Sequence, residues 1–324
     1  MIIDILILIL ICGLALVILG AEWLVDGSSS IARRAGLSEF LIGMTIVGIG
    51  TSMPELVVSL TGALRGSADI AIGNVVGSNI FNVFLILGLT ALIRPVAITR
   101  ENKSRDIPIM ILTTVLLVCF GMQKTLFGLG NSDTITAVEG AVFLLLFIGY
   151  MIISFMSGKA EEEGSPEEES KGPKKLWVAV IMVLAGLAGL IFGGDLFVDS
   201  ACKIAEKAGL SEKFIAITIL ATGTSLPELV TCIVAASKGK GALALGNIIG
   251  SNVSNILLIL GCSALACPLS FANVHPVDLI MVLLSAFVLL TSAWTGRNNK
   301  VGRGDGVSFL VLFAAYMVFL IMNI

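Results

Sequence analysis

Long apolar runs recur along the whole chain, and they limit what it can fold into. About twenty apolar residues cross a bilayer as one helix. The chain is 56% hydrophobic and only 13% of its residues are charged, which is more apolar surface than a soluble domain can bury. The sequence therefore predicts an all-α protein that spans the membrane many times.

Ten runs are long enough to be transmembrane helices. They cover residues 3–21, 38–64, 70–93, 107–123, 135–157, 176–196, 212–236, 242–266, 276–294 and 306–323. The stretch 158–175 between the fifth and sixth runs contains six glutamates and no apolar periodicity. It is predicted to be a solvated linker between a first part, 1–157, and a second part, 176–324.

The basic residues predict the orientation, because cytoplasmic loops carry an excess of Lys and Arg. With the N-terminus outside, only five of the 20 basic residues fall in outer loops: Arg65, Lys124, Lys203, Lys207 and Lys213. The reverse orientation would put the other 15 outside. We therefore expect a multi-pass protein of the cell membrane with both termini outside and the acidic linker inside.

An internal repeat relates the two parts. At an offset of 173 residues, positions 50–95 align without a gap on positions 223–268, and 23 of the 46 pairs are identical. Each part has five predicted spans, and five is odd, so the second part is expected to be inverted relative to the first. Inverted repeats are typical of secondary transporters that bind substrate near the midplane, where interrupted spans meet.

The interrupted spans carry the same motif, GTSMPE at 50–55 and GTSLPE at 223–228. Glu55 and Glu228 are costly in a bilayer, at about 2.5–3.5 kcal/mol on insertion scales. Pro54 and Pro227 remove a backbone donor and loosen the helix, which frees carbonyl oxygens. In a helix, each motif threonine (Thr51 and Thr224) would lie on the same face as the glutamate that follows it by four residues.

The next span of each part carries a second motif, GNVVGSNIFN at 73–82 and GNIIGSNVSN at 246–255. The glycines, spaced G-x-x-x-G, permit close helix contacts. Two acceptors share a face in each motif, Ser78 with Asn82 and Ser251 with Asn255. Together the motifs supply an all-oxygen set that suits hard cations better than zinc or copper.

The charge of the two glutamates balances one Ca²⁺ or two Na⁺, and competition of this kind makes an exchanger. A third Na⁺ would make transport sensitive to voltage, by about 2.3 kcal/mol per charge per 100 mV. A H⁺/Ca²⁺ exchanger could use the same glutamates as proton carriers. An ion channel would need a pore ring, and an intramembrane hydrolase would need a nucleophile–base pair. The spans show neither.

The paired G-T-S-x-P-E and G-N-x-x-G-S-N motifs resemble those of the cation/calcium exchanger superfamily, in particular its prokaryotic sodium/calcium exchangers. The resemblance implies antiport of Na⁺ and Ca²⁺ by alternating access, with the first and sixth spans sliding over the rest. It implies that Ca²⁺ binds Glu55, Glu228 and oxygens near Thr51 and Thr224. The residues implied for Na⁺ are Ser52, Ser78, Ser225 and Ser251 with the carbonyls of Gly48 and Ala221, while Asn82 and Asn255 border the centre.

Some relatives, including potassium-dependent ones, have an aspartate where Asn255 stands. An amide lacks that charge, which argues against K⁺ co-transport here. We expect no cofactor and no nucleic-acid partner; the partners implied are the two transported ions and the lipid bilayer.

Overall fold

The computed structural model describes residues 2–130, 132–158, 174–209 and 223–322. This part of the chain is almost entirely helical. Its helices are α1 (Ile2–Ala35), α2 (Glu39–Thr51), α3 (Met53–Leu64), α4 (Ala68–Ile93), α5 (Asn102–Gly121), α6 (Gln123–Phe127), α7 (Ala137–Ser157), α8 (Leu176–Lys207), α9 (Leu226–Ser237), α10 (Gly241–Ala266), α11 (Pro276–Thr295) and α12 (Arg303–Met322). The prediction of an all-α membrane protein is confirmed at this level.

Eight of these helices are long and apolar enough to cross a membrane, within the described ranges: α1, α4, α5, α7, α8, α10, α11 and α12. Helices α2 and α3 together form a further, broken span, bent by 46°. Helix α9 is the described half of the seventh predicted span. The rest of that span, before Gly223, lies outside the described residues.

Two helices are much longer than their apolar runs. The first run ends near residue 21, but α1 continues to Ala35, and α8 continues to Lys207 rather than ending near residue 196. The extension of α1 still has an apolar side, where Leu24 and Val25 are buried. The extensions end where Gly36 and Gly209 take positive φ angles of 64° and 82°. Glycine is the residue that ends helices in this left-handed conformation.

Helices α4 and α10 lie in the centre of the protein. Their apolar windows are 72% and 83% buried, against 17–28% for the outer helices α1, α7, α8 and α12. Large apolar side chains on the outer helices stay exposed, as expected of surfaces that face lipid. The second motif of each half is thus carried by one of the two most buried helices.

Glycines let α10 approach α2 closely, in agreement with the G-x-x-x-G spacing. A Cβ added to Gly250 would lie 2.6 Å from the Met44 Cα, and one at Gly246 would overlap the Phe40 carbonyl. This contact brings the Ser251 hydroxyl to 3.3 Å from the Gly48 carbonyl oxygen.

Two short antiparallel ladders join the halves reciprocally. β1 (Val96–Ala97) pairs with β4 (Lys300–Val301), and β2 (Thr134–Ile135) pairs with β3 (Leu269–Ser270). Each ladder therefore takes one strand from each half of the chain. Since β1 and β3 are 173 residues apart, they occupy equivalent positions in the repeat.

Helices α1 and α8 pack along each other at the edge of the protein. Their contact depends on glycine, because a Cβ added to Gly186 would lie 2.6 Å from the Leu24 backbone nitrogen. Side chains at such positions would push the two helices apart. The pair corresponds to the first and sixth predicted spans.

Candidate functional site

The two GTS-x-PE motifs break their helices at the same place. Ser52 has φ −82° and ψ 9°, and Ser225 has φ −88° and ψ 6°, so both leave helical geometry. The following prolines lie in the first turn of α3 and α9. In a first turn proline needs no hydrogen-bond donor. At Ser52 the motif thus ends α2 and starts α3, and in both halves the glutamate lies in the first turn of the helix that follows.

Both glutamates are buried, Glu55 with 1% and Glu228 with 2% of its surface exposed. Each has one carboxylate oxygen bonded and one without a partner. The Oε1 atoms accept serine hydroxyls, whereas Glu55 Oε2 and Glu228 Oε2 are buried with no hydrogen bond. An ionised carboxylate accepts only, so these free oxygens require a cation, a proton or a water.

The serines cross between the halves. Ser52 Oγ donates to Glu228 Oε1 at 2.9 Å, and Ser225 Oγ donates to Glu55 Oε1 at 3.0 Å. Each of these hydroxyls also lies 3.1 Å from a second serine of the opposite half: Ser52 from Ser251, and Ser225 from Ser78. A hydroxyl has one hydrogen, so Ser52 and Ser225 each donate to only one of these two acceptors at a time. The four predicted serines therefore form two equivalent clusters, each of which connects the two halves of the chain.

Both motif threonines have contacts in the opposite half of the chain. Helical spacing predicts Thr51 on the face of Glu55, and its hydroxyl donates to the Val47 carbonyl at 3.0 Å and lies 3.3 Å from Asn247 Oδ1. Thr224 Oγ1 lies 3.3 Å from Asn74 Oδ1. Each threonine thus contacts the opposite half.

Of the two backbone carbonyls predicted for the site, only that of Gly48 belongs to the described residues. The Gly48 carbonyl is engaged, since it accepts the Ser52 backbone N–H at 3.2 Å and lies 3.3 Å from the Ser251 hydroxyl. Ala221 lies outside the described residues.

Asn82 and Asn255 lie beside the motif serines and are 1% exposed. Each is the first residue of a π-helical turn, Asn82–Leu87 and Asn255–Leu260. Such turns are rare and concentrate at functional sites. The amide nitrogens of both asparagines are bonded, whereas Asn82 Oδ1 and Asn255 Oδ1 are buried without a partner.

Four further asparagines hold the site and are absent from the set predicted by sequence. Asn74 donates to the Glu55 carbonyl at 3.2 Å and to Ser59, and Asn247 lies beside Thr51. The other two, Asn79 and Asn252, bond the amides of Asn255 and Asn82. Their signal in the sequence is the repeat itself, because Asn74 and Asn79 recur unchanged at 247 and 252.

Four buried oxygens of the two motifs therefore lack partners: one from each glutamate, and one each from Asn82 and Asn255. Buried polar groups without partners are rare in native proteins, so these four acceptors are suited to a ligand that donates hydrogen bonds or carries positive charge. Among the described residues no group of three or more His, Cys, Asp or Glu could hold a metal. The set thus consists of two charged and several neutral oxygens, which suits hard cations.

Comparison with known proteins agrees with this chemistry. A sequence profile described as "Sodium/calcium exchanger protein" matches residues 5–156 and 178–322. The chain belongs to the sodium/calcium exchanger family. It is therefore a multi-pass membrane transporter of the cation/Ca²⁺ antiporter type and not an enzyme, and the resemblance drawn from the paired motifs is confirmed.

Individual relatives match over nearly the full length. The sodium/calcium exchanger MaX1 of Methanosarcina acetivorans is 32% identical, with 97% of each chain covered. The inner membrane protein YrbG of Escherichia coli is 36% identical over 97% of this chain and 95% of its own. A solved structure of the sodium-calcium exchanger NCX_Mj, soaked with 10 mM Na⁺ and no Ca²⁺, is 32% identical with a TM-score of 0.84, covering 98% of this chain and 99% of that one.

Proposed function

We propose that this exchanger moves Ca²⁺ in one direction and Na⁺ in the other, binding both in turn at the site formed by α2, α3, α4, α9 and α10. The observation that carries the proposal is the set of four unpartnered oxygens on Glu55, Glu228, Asn82 and Asn255. Ca²⁺ takes six to eight oxygens in flexible geometry, whereas Mg²⁺ demands a tight octahedral cage. The two carboxylates balance the charge of one Ca²⁺.

The proposed Ca²⁺ ligands are these four oxygens, with oxygens near Thr51 and Thr224 completing the shell. The proposed Na⁺ positions use the two serine clusters (Ser52, Ser78, Ser225 and Ser251) and the carbonyls of Gly48 and Ala221. Ser52 and Ser225 already bond the glutamates, so a Na⁺ beside either serine would share a carboxylate with the Ca²⁺ position. If both ions were fully bound, their positive charge would exceed the negative charge of the two carboxylates. The ions would therefore compete.

The proposed architecture is ten transmembrane helices in two inverted repeats of five, 1–157 and 176–324, joined by a cytoplasmic linker at 158–175. The reciprocal contacts support it: Ser52 with Glu228 mirrors Ser225 with Glu55, and β1–β4 mirrors β2–β3. Inverted repeats give a transporter two equivalent conformations that open to opposite sides. Both termini would lie outside. The α1–α8 pair, which packs mainly on itself, is the proposed sliding element.

Ion flux in proteoliposomes tests the choice of coupling ion. Vesicles loaded with Na⁺ and diluted into Na⁺-free buffer should accumulate ⁴⁵Ca²⁺, and vesicles with only a pH gradient should not. Added K⁺ should have no effect on the rate. Uptake driven by the pH gradient and independent of Na⁺ would overturn the proposal in favour of H⁺/Ca²⁺ exchange by the same glutamates.

A further inference from the structure

We propose that Asn79 and Asn252 are positioning residues that fix the amides of Asn255 and Asn82, so that both side-chain oxygens face the bound ion. This inference rests on the proposed function, because it concerns the same four oxygens. It adds two residues that do not contact the ion. It also gives a reason for the run of asparagines in each GSN-x-x-N segment.

The orientation of Asn79 follows from a backbone contact. Its Nδ2 donates to the Asn252 carbonyl oxygen at 3.1 Å. A backbone carbonyl only accepts, so the nitrogen of Asn79 must point there and its Oδ1 must point away. That Oδ1 accepts from Asn255 Nδ2 at 3.0 Å. The amide of Asn255 is thereby oriented too, and its own Oδ1 is left buried without a donor.

The same chain of contacts orients Asn82. Its Nδ2 donates to Asn252 Oδ1 at 2.9 Å, and Asn252 Nδ2 lies 3.6 Å from the Met110 sulfur. A thioether sulfur accepts weakly and donates nothing. The two halves differ at this point, since Asn79 Nδ2 donates to a backbone carbonyl oxygen instead. Asn82 is thus held by a weaker anchor than Asn255.

Orientation matters because an asparagine carries no net charge. Its oxygen attracts a cation and its amide hydrogens repel one. Rotation of the amide by half a turn would therefore replace a ligand by a group that repels the ion. All four asparagines are at most 3% exposed, so water does not compete for these bonds. The hydrogen bonds between the halves therefore keep two neutral ligands in the orientation that a cation requires.

The positioning role of Asn79 is tested by substituting it in two backgrounds, the wild type and Asn255→Asp. Asn79→Leu is made alone and together with Asn255→Asp, and Ca²⁺/⁴⁵Ca²⁺ exchange is measured in proteoliposomes, which requires no coupling ion. In the wild-type background the KM for Ca²⁺ should rise about tenfold, the effect of removing one hydrogen bond from a buried amide. In the Asn255→Asp background it should rise less than about twofold, because a carboxylate has no nitrogen to turn toward the ion.

Equal losses in both backgrounds would overturn the inference, since they would mean that Asn79 only supports the packing. If Asn79→Leu is not monodisperse in detergent, the smaller polar variant Asn79→Ser replaces it in both backgrounds. Wild-type protein that fails to exchange Ca²⁺ would overturn the proposed function and this inference with it. That result is distinct from equal losses, which leave the proposed function intact.

Discussion

The charge of Glu55 should be essential to Ca²⁺ transport, and the substitution Glu55→Gln isolates it. Glutamine keeps the shape of the side chain and removes the charge. In the structure Glu55 Oε1 accepts the Ser225 hydroxyl at 3.0 Å, while Oε2 is buried without a partner. A glutamine that keeps the serine bond would therefore place its NH₂ group where the free oxygen now lies, against the ion.

The magnitude follows from burial. Glu55 is 1% exposed. Removing one member of a buried, paired set of charges costs about 3–5 kcal/mol. At about 1.4 kcal/mol per tenfold change, this is a loss of roughly 100- to 3,000-fold in Ca²⁺ affinity. Glu228→Gln should cause a similar loss, because Glu228 has the equivalent contacts with Ser52.

The assay is Ca²⁺/⁴⁵Ca²⁺ exchange in proteoliposomes over a range of Ca²⁺ concentrations, with thermal stability measured on the same samples in detergent. Glu101→Gln is the matched control, since Glu101 is an exposed carboxylate just before α5 and should leave the KM unchanged. A KM for Glu55→Gln close to that of wild type, in a folded sample, would refute the reasoning that Glu55 binds the ion.

Two further predictions concern packing and orientation. Gly250→Ala should lower the Tm of the detergent-solubilised protein by several degrees, because the new Cβ would lie 2.6 Å from the Met44 Cα and overpacking costs about 1–3 kcal/mol. Gly149→Ala is the control. An equal Tm for both variants would contradict the packing argument. In a cysteine-free background, a membrane-impermeant maleimide should label Ser132→Cys from outside intact cells and should label Ser165→Cys only after lysis. Labelling of the linker cysteine in intact cells would reverse the orientation.

Much of the site could be predicted because the repeat presents its residues twice. Glu55 and Glu228 are costly in a bilayer and are related by the same offset of 173, so the sequence alone indicates an ion site. The four serines are predicted for the same reason, and the structure places them in two equivalent clusters with the glutamates. Repetition distinguishes a functional polar residue from one that only joins helices.

Hydrogen-bond partners that lie in the opposite half of the chain could not be predicted from the sequence. Spacing along a helix reveals neighbours on one face, and it suggests Thr51 beside Glu55. It does not reveal that the Thr51 hydroxyl also lies 3.3 Å from Asn247 Oδ1 of the other repeat. The roles of Asn79 and Asn252 are hidden for the same reason, because each is defined by a contact with the other repeat.

Some helix ends also differ from the prediction, because the sequence becomes more polar several residues before the helix ends. Apolar runs end at the edge of the hydrocarbon, but α1 continues to Ala35 because one side remains packed against the protein. The positive-φ glycine that follows, Gly36, is a better marker of its end than hydropathy. The π-turns at Asn82 and Asn255 have no counterpart in apolar periodicity.

The central claim is that Ca²⁺ and Na⁺ compete for the oxygens between the two repeats. Isothermal titration of the detergent-solubilised protein with Ca²⁺, at increasing Na⁺ and constant ionic strength, tests it most directly. We predict a single Ca²⁺ per chain, an apparent Kd that rises with Na⁺, and no binding to the double variant Glu55→Gln/Glu228→Gln. A Kd independent of Na⁺, or Ca²⁺ binding retained by the double variant, would contradict the account.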